Sequence, residues 1–164
     1  MVISPIPLRI ARVTLSDRAS AGIYPDLSGP EIERILAAAL DPAPTFLTRL
    51  IPDDRATISS TLRALCDDDR CDLIVTTGGT GPAPRDFTPE ATRDILDREL
   101  PGFGEAMRAI SFAKVPTAIL SRATAGTRGH TLIINLPGNP RAISECLPPL
   151  LPAIRECLKH LHGA

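Results

Sequence analysis

Glycines, an arginine and a carboxylate crowd into residues 76–86, which read TTGGTGPAPRD. Gly78, Gly79 and Gly81 permit positive φ and close approach, so successive backbone N–H groups there can cradle an anion. Thr76, Thr77 and Thr80 add hydroxyls. The stretch lacks the G-K-[ST] ending of a Walker A loop and the G-x-G-x-x-G spacing of a dinucleotide fingerprint. On the loop alone, a phosphate cradle and an ordinary glycine-rich turn leaving a strand both stay open. Asp86 adds a carboxylate that repels a phosphate unless a divalent cation bridges them, and Mg²⁺ favours a shell of carboxylate, water and phosphate oxygens. Arg85 is suited to neutralising charge on a phosphoryl group in transfer. The plainer alternative makes Asp86 a local turn or helix-capping acid with Arg85 as its surface partner. Asp53 is a second carboxylate for such a cation, or else a helix cap shared with Asp54. Ser16, Asp17, Arg18 and Ser20 in SDRAS, and Asn139 in PGNP, are polar groups that also fit ordinary turns.

The elements around these residues alternate between strand and helix signals, which predicts an α/β fold with a largely parallel sheet. Strands are expected at 8–15, at 45–51 (half exposed, near an edge), at 72–76 and at 130–136, the last two being buried-type apolar runs. Ser28-Gly29-Pro30-Glu31 has the form of an S-x-x-E capping box opening a helix to about Leu40. Asp53 or Asp54 can cap a second helix carrying Ile58, Leu62 and Leu65, and 67–69 reads as a solvated turn. Thr88-Pro89-Glu90 starts another helix whose apolar face continues to Ile95 and Leu96. A further helix follows the Pro-Gly break at 101–102, residues 116–121 are ambiguous, and a helix with Ile143 and Cys146 follows PGNP. Pro148, Pro149 and Pro152 are expected to interrupt that helix before a last amphipathic segment ending at Leu161. SDRAS, TTGGTGPAPRD and LPGNP each directly follow a strand. In an open parallel sheet, ligands bind outside the carboxyl ends of the strands, so these loops are expected to converge.

At 164 residues, 43% hydrophobic and 23% charged, the chain reads as one globular domain over 1–164 with a core at about 8–161. The formal net charge of −1 argues against a nucleic-acid partner, and the absence of Trp and scarcity of Tyr and Phe against a base-stacking surface. Residues 1–10 lack the pattern of a secretory leader, and no run approaches a membrane span, so a cytoplasmic protein is expected. Cys66, Cys71, Cys146 and Cys157 form no C-x-x-C pair and read as small hydrophobes of a reducing compartment rather than zinc ligands or disulfides. His160 and His162 read as a solvated helix end.

Taken together, SDRASAG, LIPD, TTGGTGPAPRDFTPEAT, PGFGEAMR, AILSRATAG and TLIINLPGNP resemble the molybdopterin adenylyltransferases of the MogA and MoaB type, in order and over residues 10–158. The resemblance implies a three-layer α/β/α sandwich with a mostly parallel sheet that assembles as a homotrimer. It implies Mg²⁺-dependent transfer of AMP from ATP to the molybdopterin phosphate, with release of pyrophosphate, and a downstream molybdenum insertion enzyme as consumer of the product. On the matching positions it makes Asp53, Asp86 and Arg85 catalytic, with the two carboxylates at the metal. Gly78, Gly79, Thr80 and Gly81 fall in the phosphate-binding loop, and Ser111 and Ser121 match serines of the pterin site. Ser16, Asp17, Pro137, Gly138 and Asn139 fall in loops lining the same cleft. Pro84 departs from members that carry Arg there, and the chain lacks the C-terminal insertion of longer relatives. A non-catalytic pterin-binding paralogue, a trimeric scaffold and an unrelated mononucleotide binder are the alternatives.

Overall fold

Branched apolar residues dominate the central strands, and their alternation sorts side chains onto two helix-covered faces. The structure, a computed structural model, describes residues 6–163; of the leader reading, residues 1–5 lie outside that range. Strands β1 (Arg9–Leu15), β2 (Thr45–Ile51), β3 (Leu73–Thr77), β4 (Arg98–Glu99), β5 (Ala125–Arg128) and β6 (Thr131–Leu136) form one sheet in the order β2-β1-β3-β6-β5-β4. The first four in that order are mutually parallel, whereas β5 runs antiparallel to β6 and β4 antiparallel to β5. Period-2 geometry directs Ile10, Leu73, Val75, Leu132, Ile134 and Leu136 to one core, and Ala11, Val13, Ile74 and Ile133 to the other. The first core is closed by α2 (Ser28–Ala39), α5 (Gly102–Phe112) and α6 (Pro140–Leu161), the second by α3 (Arg55–Asp67) and α4 (Thr88–Arg93). This is a three-layer α/β/α arrangement around a mixed, mainly parallel sheet, with β2 at its edge as expected.

Several local expectations change. Ser28 does not cap α2: Leu27 occupies the N-cap, Asp26 accepts the Gly29 N–H instead, and the Ser28 hydroxyl donates to Gly138 O at 2.6 Å. Glu31 is likewise drawn away, to Arg34 and Ser144. Residues 17–20 form a one-turn helix α1 capped by Ser16 rather than a plain turn. Helix α4 ends at Arg93, so Ile95 is buried from a turn beyond it. Residues 116–120 are a 3₁₀ turn. Strands β4 and β5, short and poor in large apolar residues, give no strand signal in the sequence.

The prolines do not break the last helix, which runs unbroken for 22 residues. Pro148, Pro149 and Pro152 all lie on its exposed side, while Leu147, Leu150, Ile154 and Leu158 are buried on the other. The carbonyls that lose a partner therefore face water, which satisfies them, and the apolar stripe holds the axis. The cysteines pack as apolar side chains: Cys66, Cys71 and Cys146 are buried free thiols and Cys157 is partly buried. Burial pushes the Cys66 thiol up to about 12 and that of Cys71 to about 11.

A buried polar knot ties the sheet to α4. Asn135, on β6, donates from Nδ2 to the hydroxyls of Thr76 on β3 and Thr92 on α4, both at 3.0 Å. All three side chains are fully buried. Asn135→Ala is expected to strand both hydroxyls and to cost about 1–3 kcal/mol of folding stability. Urea denaturation of the variant against the wild type measures the loss.

Candidate active site

The carboxyl ends of β1, β2, β3 and β6 lie side by side in the parallel half of the sheet, and the loops leaving them meet there. A polar cavity of about 410 Å³ opens between them, lined by Ser16, Asp17, Asp53, Gly78, Gly79, Asp86 and Gly138, with Thr14, Leu15, Arg18, Tyr24, Ser28 and Thr77 completing the wall. The expected convergence of the three strand-end loops is thus what the structure has.

The glycine turn is shaped by what surrounds it. Gly78 and Gly79 adopt φ of 98° and 63°. A Cβ at Gly78 would collide with Leu15 O, and one at Gly79 with the Thr88 hydroxyl. No L side chain fits either position without moving its neighbours. Carbonyl oxygens in such a turn repel a phosphate, and both are occupied here. The Thr88 hydroxyl donates to Gly78 O at 2.8 Å, and the Thr88 N–H donates to Gly79 O at 3.1 Å. The threonine hydroxyls before the turn are engaged in the same way: Thr76 accepts from Asn135, and Thr77 donates to Pro137 O at 2.7 Å. Thr80 and Gly81 lie beyond the cavity wall, Thr80 buried and Gly81 packed against the Asp86 carboxylate.

The competing reading of Asp53 as a helix cap is resolved by its neighbour. Asp54 caps α3, accepting the Thr57 N–H at 2.8 Å and the Thr57 hydroxyl at 2.7 Å. Asp53 instead enters the cavity and exchanges paired bonds with Asp17. The Asp17 N–H donates to Asp53 Oδ2, and the Asp53 N–H donates to Asp17 Oδ1, each at 3.0 Å. Arg85 does not partner Asp86. Its Nε and Nη2 grip Asp17 at 2.7 and 3.0 Å, and Nη2 also donates to Asp53 O at 3.0 Å. Asp86 accepts the Ala83 N–H and turns into the cavity.

These arrangements set the charges apart. The Arg85 guanidinium and the Asp53 N–H hold the Asp17 carboxyl below the usual range. Asp53 is raised, first by burial and then by the nearby charges of Asp17 and Asp86, against the lowering effect of the Asp17 N–H and Arg85.

Four of the remaining expected residues lie next door. Ser111, Ser121, Pro137 and Asn139 line a second, more apolar cavity of about 470 Å³, with Met107, Val115 and Cys146 among its walls and Arg108, Lys114 and Arg141 at its polar side. Residues 137–139 divide the two cavities: Gly138 faces the polar one, and Pro137 and Asn139 the other. Sequence reasoning misses Tyr24, Ser28 and Arg122. Tyr24 stands in a segment without periodicity, its hydroxyl 2.8 Å from that of Ser16. Ser28 is hidden by a convincing cap pattern. Arg122 sits within the AILSR segment, but nothing in its spacing connects it to residues 80–90.

A model of the family described as "Probable molybdopterin binding domain" matches residues 11–156. The chain belongs to the molybdopterin-binding domain family. It is 51% identical over 156 residues to a molybdopterin adenylyltransferase of Helicobacter pylori, spanning 95% of this chain and 89% of the relative. It is 54% identical over 140 residues to that of Escherichia coli K12, spanning 85% and 72%. The crystal structure of the molybdopterin biosynthesis enzyme MoaB from Thermus thermophilus superposes with a TM-score of 0.85 at 43% identity, covering 96% of this chain and 98% of that one.

Asp53 offers a direct test of the crowding in the polar cavity. Its folded-state pKa lies above the unfolded value, so folding takes up a proton between the two and stability falls as pH rises through that window. Asp53→Asn, free of ligand, is therefore expected to melt above the wild type at pH 7. The gap should close as pH drops below the ordinary aspartate range. Thermal melts followed by circular dichroism at several pH values check both parts.

Proposed function

We propose that this chain is a molybdopterin adenylyltransferase that moves AMP from ATP to the molybdopterin phosphate and releases pyrophosphate. One observation carries the reading: the glycine turn and the Asp53 and Asp86 carboxylates open into a single polar cavity, beside a second, apolar one. The names of the relatives point the same way. The triphosphate is assigned to the polar cavity and the pterin to the apolar one, where Ser111 and Ser121 offer hydroxyls. Residues 137–139 between the cavities then stand where the two reactants meet.

The donor set fits Mg²⁺. Asp53 is raised partly by Asp17 and Asp86, a repulsion that a cation between the carboxylates relieves. Among the described residues no group of three or more His, Cys, Asp or Glu is arranged to hold a metal alone. Two carboxylates with the remaining positions left to water and phosphate oxygens is the Mg²⁺ pattern. Asp53 and Asp86 are the residues that would hold it, and when bound it would supply positive charge to phosphate oxygens.

The reaction joins two anions, so holding them together is the protein's main task. In the transfer, an oxygen of the molybdopterin phosphate bonds to the α-phosphorus of ATP as the bond from that phosphorus to the pyrophosphate oxygen breaks. The pyrophosphate leaves with its electron pair, and a phosphate oxygen as nucleophile needs no strong base. The glycine turn presents main chain free of side chains to the phosphates, and Thr88 holds its carbonyls. Arg85, which does not itself line the cavity, is braced on Asp17 and Asp53 O and sets positive charge behind those residues against the charge that accumulates in transfer. Asp17 fixes Asp53 through the paired main-chain bonds, so the carboxylate enters the reaction already oriented.

The same reading places the protein in the cytoplasm, in keeping with its free thiols, as a homotrimer whose product passes to a molybdenum insertion enzyme. Exposed Phe112, Val115, Ile119 and Leu120 supply apolar surface for self-association. Among the described residues no helix is long and apolar enough to cross a membrane.

Incubation with molybdopterin, ATP and Mg²⁺ should yield adenylylated pterin and pyrophosphate in equal amounts. Asp86→Asn, folded as judged by circular dichroism, is expected to lower kcat by about a hundred- to a thousandfold. Near-normal turnover in that variant would remove Asp86 from the mechanism.

A further inference from the structure

Residues 81–86 hold Asp86 in place with little apolar packing: Pro82, Ala83, Pro84 and Arg85 are all exposed. Within the loop, Asp86 N–H donates to Ala83 O at 3.0 Å, and Ala83 N–H returns a bond to the Asp86 carboxylate at 3.1 Å. Two such bonds make a turn but do not aim it at the cavity. Arg85 ties one side of the loop to Asp17 and Asp53 O, and further restraint comes from one residue that lines neither cavity.

Arg122 meets the loop at successive points along its length. Its N–H donates to Thr80 O at 2.8 Å, Nε to Gly81 O at 2.9 Å and Nη2 to Asp86 O at 2.6 Å. Nη1 pairs with the Glu90 carboxylate on α4. A planar guanidinium with donors in a fixed fork sets the spacing of all its acceptors at once, which an ammonium cannot do. Arg122 is itself held on both sides, because Arg108 Nη1 donates to Ser121 O at 3.2 Å and Ala123 O at 2.9 Å. Burial is the strongest single influence and works to raise the Glu90 carboxyl, yet the hydrogen bond and charge of Arg122, together with a main-chain bond and the charge of Arg93, leave the group below the ordinary range. The other Glu90 oxygen, Oε2, is buried without a hydrogen-bond partner among the described residues, so Arg122 is the main source of its compensation.

We propose that Arg122 is a positioning residue that fixes the main chain from Thr80 to Asp86 and thereby aims the Asp86 carboxylate at the reacting phosphates. This rests on the adenylyltransferase reading and adds to it a residue that touches no substrate. Because Ser121 lines the apolar cavity and Arg122 grips the loop of the polar one, neighbouring residues of one segment join the two.

Arg122→Lys keeps a cation near Glu90 while removing the fork, and Glu90→Gln removes the charge pair while leaving the three loop bonds. Both are compared with the wild type by steady-state kinetics, thermal melts and hydrogen–deuterium exchange. For Arg122→Lys the expected result is a kcat lower by about a hundredfold, the scale of a misplaced reacting group. Its KM for molybdopterin should stay near the wild-type value, and faster exchange should be confined to residues 80–90. Glu90→Gln should keep most of its kcat. Wild-type kcat in Arg122→Lys, or a loss that merely follows the folded fraction with exchange raised along the whole chain, overturns the proposal. If Arg122→Lys fails to fold, Arg122→Gln combined with Glu90→Gln carries the same expectation without a stranded charge. A wild-type protein that makes no adenylylated pterin strikes the parent reading instead. Loop-confined exchange in the variants then still reports whether Arg122 holds residues 80–86.

Discussion

Carboxylate facing carboxylate is the constraint around which this molecule is arranged. Asp17, Asp53 and Asp86 share one cavity, and Arg85 is the cation bound to this group. Left free to rotate, such side chains would swing apart into water. Here they stay because each is tied to main chain: Asp53 and Asp17 to each other's N–H groups, and Asp86 to that of Ala83. The site is thus built in a charge state that burial and the neighbouring carboxylates make costly for Asp53. Some folding stability is given up for a geometry needing little rearrangement when ligands arrive.

The scaffold supports this through its two cores. Strands buried on both faces give the sheet no freedom to slip, since a one-residue shift would exchange the side chains assigned to each core. The Asn135 knot adds a directional tie between β6, β3 and α4, so the glycine turn after β3 and the helix that supplies Thr88 move as one body. Ser28 on α2 and Thr77 at the end of β3 anchor Gly138 and Pro137 from opposite sides. The partition between the two cavities is therefore held by a covering helix and the sheet together.

Much of this is legible in the residues, and the failures have physical causes. The central strands and the convergence of their loops follow from apolar runs and from the rule for parallel sheets, because burial on both faces leaves an unmistakable composition. Asp53 is ambiguous with Asp54 since either carboxylate can cap a helix. Only the fold shows that Asp54 takes the Thr57 N–H and hydroxyl and releases Asp53. The cap pattern at Ser28 misleads because a tertiary acceptor, Gly138 O, lies 110 positions away and competes better than the local N–H. Prolines at 148, 149 and 152 look like breaks because sequence reading does not say which side of a helix is wet. Strands β4 and β5 escape notice because their pairing, not their composition, makes them strands. Arg122 is invisible for a related reason: most of its acceptors are carbonyls, which every residue has.

The reversal of direction at β5 has its own consequence. A strand running with its parallel neighbours would have delivered residues 121–124 to the far end of the sheet. Running backwards, β5 starts beside the finish of β6, and Asn135 N–H meets Thr124 O there at 2.9 Å. The chain thus passes the cavity end of the sheet on its way into β5 and makes its tight turn at Gly129–His130, on the opposite rim, both exposed. Insertions, tags or new chain ends at that hairpin tip leave every residue of both cavities in register. The same change in the 118–124 approach would disturb them together, so tolerance to sequence drift along this one antiparallel excursion should be sharply lopsided.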